Sequence, residues 1–220
     1  MNELDFEVLS SNSSGNCIVF KKYLAIDMGI PYKQIKPYLK ELKVILLTHI
    51  HSDHFCKPTI KKIAFEKPTM KWVCGEWLVD DLVKLKVPKQ NIYVVKHNKA
   101  YDFGAFNLIP LETYHDVRNM SYRVDFKPIT IYYATDTNRL DYHVCLKHLD
   151  YYFVEVNYDE KTLQKHIEES IENHDSNIFY LERVRGTHLS KEECMSFLIE
   201  NMGNNSQFVE LHHSSYNYEG

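Results

Sequence analysis

Leu46-Leu47-Thr48-His49-Ile50-His51-Ser52-Asp53-His54-Phe55 is the stretch on which the reading of this chain turns. The apolar run Val44-Ile45-Leu46-Leu47 leads into it and predicts a short buried β-strand. Three histidines and one aspartate then fall within six residues. Imidazole nitrogen and carboxylate oxygen are donors that zinc, manganese and iron accept. His49 and His51, two residues apart, point the same way from an extended segment, while Asp53 and His54 reach a second point further on. One segment can therefore serve two neighbouring metals. A polar loop whose histidines merely satisfy backbone groups has no reason to gather four such side chains directly behind a buried strand.

Size and composition bound the rest. The 220 residues show no internal repeat and predict one sizeable domain over 1–220, or two tightly fused halves of similar architecture. An apolar content of 44% supports a full core. No apolar run approaches the ~20 residues needed to cross a bilayer. Met1-Asn2-Glu3-Leu4-Asp5 lacks the basic and apolar regions of a signal peptide, so a soluble, cytoplasmic protein without membrane contact is expected. The five cysteines, Cys17, Cys56, Cys74, Cys145 and Cys194, are scattered with no CxxC pair and read as reduced thiols in packing roles. A net charge of −4 without a long Lys/Arg run argues against a protein that coats duplex nucleic acid. It leaves open a small phosphodiester or a strand end, since divalent ions supply positive charge locally.

Periodicity and turn signals predict helices over Pro31–Leu42, Pro58–Glu66, Glu76–Leu85 and Lys161–Asn173, the last with Leu163, Ile167 and Ile171 inward. A capping box, Ser190 to Glu193, opens a further helix. Strands are predicted at Phe6–Leu9, Lys71–Cys74, Tyr151–Glu155 and Gln207–Leu211, with a turn over Ser10–Asn16.

The HxHxDH pattern of residues 49–54 resembles the signature of the metallo-β-lactamase fold, an α/β (α+β) four-layer αββα sandwich with a dinuclear site at one edge of its two sheets. That resemblance implies two divalent metal ions, zinc or manganese, with iron also accommodated. It implies that His115, in Tyr114-His115-Asp116, joins His49 and His51 on the first ion. It places Asp53, His54, Asp136 and His212 on the second, with Asp136 bridging both and His213 as the alternative one register away from His212. Asp27, in Ile26-Asp27-Met28-Gly29, would support the metal loop through hydrogen bonds without binding metal, and Asp116 would hold a neighbouring loop or orient the His115 ring.

Finer features resemble the YycJ/WalJ branch of this superfamily. They are the Ser13-Ser14-Gly15-Asn16-Cys17 turn, the His115-Asp116 pair followed by Tyr122-Arg123-Val124, and Glu155-Val156-Asn157-Tyr158-Asp159. Thr187-His188-Leu189-Ser190 is similar to a motif of the ribonuclease Z and YycJ groups whose histidine faces the scissile phosphate. The resemblance therefore implies a metal-dependent phosphodiesterase of the nuclease type, exonuclease-like on DNA ends, with Asp53 and His188 as catalytic residues. A phosphodiesterase of small cyclic nucleotides is the alternative, and a thioester or lactone hydrolase a weaker one. Aspartate at 136, where zinc β-lactamases carry cysteine, points away from penicillin hydrolysis. His51, where oxygen-reducing diiron members carry glutamate, points away from redox chemistry. Asn138 and Ser121 depart from glycines common in the YycJ branch, and no glycine- and basic-rich arm for gripping tRNA is present. The expected partners are nucleic-acid ends or a small cyclic nucleotide as substrate, and a homodimer is compatible with the resemblance.

Overall fold

The computed structural model describes residues 3–141 and 143–212, which divide into two compact units, Met1–Tyr101 and Asp102–Gly220. Each is built around one six-stranded sheet.

In the first unit the strands lie in sequence order: β1 (Phe6–Asn12), β2 (Gly15–Phe20), β3 (Leu24–Ile26), β4 (Val44–Leu46), β5 (Lys71–Cys74) and β6 (Ile92–Val94). The first three pair antiparallel, and β3 through β6 pair parallel. Parallel strands are covered on both faces, and β3 and β4 are accordingly buried at every position. The turn predicted over Ser10–Asn16 is tighter than expected. β1 runs on to Asn12 past a register shift between Val8 and Ser10, so the reversal takes only Ser13 and Ser14. The helix expected over Pro31–Leu42 is also shorter. α1 covers only Tyr32–Ile35 and gives way to a 3-10 turn over Lys36–Tyr38, because Pro37 has no N–H to continue the α ladder. α2 (Lys57–Glu66) forms as predicted and buries Ile60, Ile63 and Ala64, whereas the segment from Glu76 opens as a 3-10 turn before α3 (Val79–Lys84). These elements close one apolar core around Ile45, Trp72, Leu78 and Leu82.

The second sheet runs β12 (Gln207–Leu211), β11 (Tyr151–Glu155), β10 (Thr130–Ala134), β9 (Met120–Asp125), β8 (Asn107–Glu112) and β7 (Tyr101–Asp102). β9 pairs antiparallel with β8 and with β10, and β10, β11 and β12 are parallel. The carboxyl ends of β8, β10, β11 and β12 thus share one edge. Tyr152 of the fully buried β11 packs with Leu198 and Leu149 in this unit's main core. α4 (Glu160–Glu172) starts at Asp159, whose side chain accepts from Thr162 N, and it buries Leu163 and Ile167. Ile171, expected inward, is exposed one residue before the helix end. α5 (Ile178–Thr187) was not signalled by any strong amphipathic pattern; it buries only Leu181, Val184 and Thr187. The Ser190–Glu193 capping box forms, with Ser190 Oγ accepting from Glu193 N at 3.2 Å to start α6 (Lys191–Asn201).

Among the described residues, no helix is long and apolar enough to cross a membrane. All five cysteines are free thiols.

Candidate metal centre

In the first unit the candidate residues lie beyond the carboxyl ends of β3 and β4, which leaves side chains projecting off the sheet edge. Asp27 is fully buried and takes left-handed backbone (φ 60°) at the end of β3. Its carboxylate accepts from Thr48 N and Thr48 Oγ1, both at 2.9 Å, and from His54 Nδ1 at 2.7 Å. With its proton committed to Asp27, Thr48 Oγ1 accepts from His49 Nδ1 at 2.9 Å. One buried carboxylate thereby orients two imidazoles, His54 directly and His49 through a hydroxyl. In both rings the Nδ1 edge is engaged by the protein, which leaves Nε2 as the donor edge for a cation. The His49 ring lies 4.8 Å from that of His51 and 4.3 Å from that of His54, and Asp53 Oδ2 is 3.5 Å from His54 Nε2.

The loop carrying these residues is clamped by backbone. Asn16 N donates to Asp53 O at 2.6 Å, Met28 N to His54 O at 2.9 Å, and Cys56 N to Met28 O at 2.9 Å. Gly29 is required here, because a Cβ would stand 1.6 Å from Asp53 O. The buried Asn16 side chain lies 2.8 Å from His54 Nε2 and 3.3 Å from Asp53 Oδ2. Sequence reasoning quoted the turn containing Asn16 without assigning it a role. An asparagine directly after the glycine of a dense turn, 33 residues ahead of the HxHxDH motif, was the available signal.

In the second unit, the shared edge of the sheet carries His115 beyond β8, Asp136 beyond β10, Glu155 at the end of β11 and His212 beyond β12. Asp136 (φ 55°) and His212 (φ 54°) take left-handed backbone, as Asp27 does. Non-glycine residues held in that region cost about 1–3 kcal/mol each, and such strain gathers at functional sites. His115 donates from Nδ1 to the carbonyl of Thr187 at 2.9 Å, and its Nε2 lies 3.7 Å from Asp136 Oδ1 and 3.2 Å from Asp116 Oδ1. Asp136 Oδ2 is 3.6 Å from His212 Nε2. The group orienting His115 through Nδ1 is thus a backbone carbonyl. Asp116 sits at the opposite ring edge and accepts from Nη2 of Arg183 in α5 at 2.7 Å.

His188 follows α5 directly. It donates from Nδ1 to Glu155 Oε1 at 2.5 Å, and its ring stacks at 5.2 Å on that of His212. Glu155 is fully buried, accepts from Thr137 N through Oε2 at 3.2 Å, and has Oε1 3.3 Å from His212 Nδ1. The Asn157 amide lies 3.1 Å from the same nitrogen. Burial by itself would lower the His188 pKa, but the Glu155 carboxylate, with Asp136, holds it above the ordinary histidine value. At His115 burial outweighs its neighbours and the pKa falls. Glu155 was missed as a functional residue at the sequence level. Its marks were the Glu155–Asp159 segment that resembles the YycJ branch and its place closing a strand of otherwise apolar and aromatic residues.

The donors in both units suit divalent cations of the zinc, manganese and iron class: imidazoles, with His49, His54, His115 and His212 engaged at Nδ1, and carboxylates beside them. No cysteine lies in either set. His213 lies outside the described residues, whereas His212 is buried against Asp136 and Glu155.

Comparison with known proteins adds a family and several relatives. The profile for the beta-lactamase superfamily domain matches residues 28–213. The chain is similar to the exodeoxyribonuclease WalJ of Streptococcus pneumoniae serotype 2 (strain D39 / NCTC 7466), 27% identical over 98% of this chain and 84% of that protein. Among solved structures it is similar to the metallo-beta-lactamase fold protein YhfI from Bacillus subtilis. The TM-score is 0.73 at 15% identity, over 98% of this chain and 88% of the other. Human tRNase Z, short form, is similar with a TM-score of 0.67 at 14% identity, over 96% and 93% of the two chains.

Proposed function

The chain belongs to the beta-lactamase superfamily and is a metal-dependent hydrolase, and from that premise we propose that it is a phosphodiesterase of the nuclease type acting on DNA ends. The observation that carries this reading is the Glu155–His188 pair at the edge shared by His115, Asp136 and His212. An imidazole fixed by a buried carboxylate and set beside candidate ligands is what a phosphoryl leaving group needs. It presents an N–H to an oxygen on which negative charge develops. The similarity to an exodeoxyribonuclease over most of both chains supports the same reading.

In this proposal His49, His51 and His115 serve one divalent ion and Asp53, His54, Asp136 and His212 a second, following the order of the family motifs. When bound, such ions would supply Lewis acidity and neutralise the charge of a phosphodiester. The protein's own groups do the rest. Asp27 holds the tautomers of His49 and His54. Asp53 accepts the proton of the attacking water. His188, held by Glu155 at Nδ1, gives the Nε2 proton to the leaving oxygen. The direction of the His188 shift agrees with a ring that carries a proton to give.

The test is hydrolysis of bis-p-nitrophenyl phosphate by metal-reconstituted protein with His49→Ala as control. Release that depends on manganese or zinc and disappears in the variant is the expected result. No release with metal bound would overturn the phosphodiesterase reading. The net charge of −4 favours one alternative, a small cyclic nucleotide. Turnover that falls steeply with salt is expected for DNA ends, and indifference to salt for the cyclic nucleotide.

A further inference from the structure

Helix α5 has one face in the core and another that is largely exposed. Leu181, Val184 and Thr187 point inward, whereas Phe179 is 81% exposed, Tyr180 40% and the Arg183 side chain 57%. Phe179 and Arg183 are four residues apart and Gly186 three further on, so they form one stripe along the outer face. The stripe ends at the candidate centre. Thr187 O accepts from His115 Nδ1, Arg183 binds Asp116 beside His115 Nε2, and His188 follows at once.

Gly186 strengthens the case. It costs helix stability relative to alanine, yet its backbone is not left-handed and nothing lies within 4 Å of where a Cβ would stand. Neither backbone nor packing calls for glycine there. A bare helix surface two residues ahead of His188 would let another chain approach closely.

We propose, on the phosphodiesterase reading above, that the Phe179–Arg183–Gly186 stripe of α5 is the track for a single nucleic-acid strand, with Phe179 as its base-stacking platform. An acidic chain without a basic run cannot rely on phosphate contacts alone to hold a strand. Stacking on an exposed ring, flanked by a guanidinium, adds to phosphate contacts a grip that tolerates any base. The eight steps from Phe179 to Thr187 rise about 12 Å. That is the span of about three to four stacked nucleotides at ~3.4 Å each. Short substrates would therefore not reach the ring.

The experiment measures binding of internally labelled phosphorothioate dT12 and dT2 to the metal-reconstituted full chain by fluorescence anisotropy. In Phe179→Ala the Kd for dT12 should rise at least fivefold, the smaller effect of removing one base–aromatic stack. Phe179→Trp should restore it, and the Kd for dT2 should move less than twofold. Parent-like dT12 affinity in Phe179→Ala, equal losses for both lengths, or no dT12 binding by the parent would each overturn the proposal. So would a parent dimer that Phe179→Ala converts to monomer in size-exclusion chromatography, since the stripe would then be a contact between copies. Failure of the parent on bis-p-nitrophenyl phosphate would count against the phosphodiesterase reading alone, because strand binding is read separately.

Discussion

Replacing Asp27 by Asn tests whether a buried carboxylate sets the metal-binding state of the first unit's histidines. The change preserves shape, and asparagine tolerates the left-handed backbone as aspartate does. The new amide must nevertheless present N–H groups where a carboxylate accepted from Thr48 and His54. If Oδ1 stays with Thr48, the amide nitrogen faces His54 Nδ1, donor against donor. His54 relieves this by moving its proton to Nε2, which removes the lone pair a cation would use. Losing one charge-assisted hydrogen bond costs about 1.5–3 kcal/mol, which for a chain of this size lowers Tm by roughly 3–12 °C. Metal affinity should fall about 10–100-fold, the usual cost of removing an outer hydrogen-bond partner. Asp27→Ala is less informative. It strands three buried donors at about 1–3 kcal/mol each, enough to threaten a fold worth about 5–15 kcal/mol. The assay is zinc competition against a chromogenic chelator, with the His54 tautomer read by 15N NMR. A folded Asp27→Asn protein with parent zinc affinity and His54 still protonated at Nδ1 would refute the reasoning.

Four further outcomes are expected. Tyr152 OH donates to the carbonyls of Leu146 (2.5 Å) or Asn201 (2.8 Å) and accepts from Leu149 N (3.1 Å), all buried. Tyr152→Phe should therefore cost about 1–3 kcal/mol in urea unfolding, and a loss below ~0.5 kcal/mol would contradict it. Gly186→Ala should stabilise the protein by about 1 kcal/mol, since the site has open space and ordinary backbone; a lower Tm would show an unseen constraint. Burial, with Asp27 nearby, pushes the Cys17 thiol up, and burial pushes Cys74 and Cys194 up to about 12. Native protein should then label only at the half-buried Cys56 and Cys145. Because these folded pKa values lie above the unfolded ones, their contribution to stability is full at neutral pH and is lost as pH rises. Each should remove up to about 1.4 kcal/mol per pH unit above pH 9, and stability that does not fall from pH 8 to 10 would contradict this.

Much of the fold was legible in the chain because its signals are local. Continuous apolar runs marked β4 and β11, and Ser190 with Glu193 marked the start of α6. Departures came where local signals compete or are weak. Pro37 stopped a helix that the apolar spacing would have continued, and α5 formed without a strong apolar stripe, buried at only three positions.

The sequence by itself determined the donor chemistry. His49, His51, Asp53 and His54 stand together in the chain, and imidazole and carboxylate keep their ligand character wherever they are placed. Tertiary structure decided what holds those donors. Asp27 meets His54 across 27 residues, Glu155 meets His188 across 33, and the Thr187 carbonyl meets His115 across 72. Hydrogen bonds of that kind depend on distance and angle between groups remote in the chain, and periodicity carries no information about them. The left-handed backbone at Asp27, Asp136 and His212 belongs with them, each residue standing just beyond the end of a paired strand.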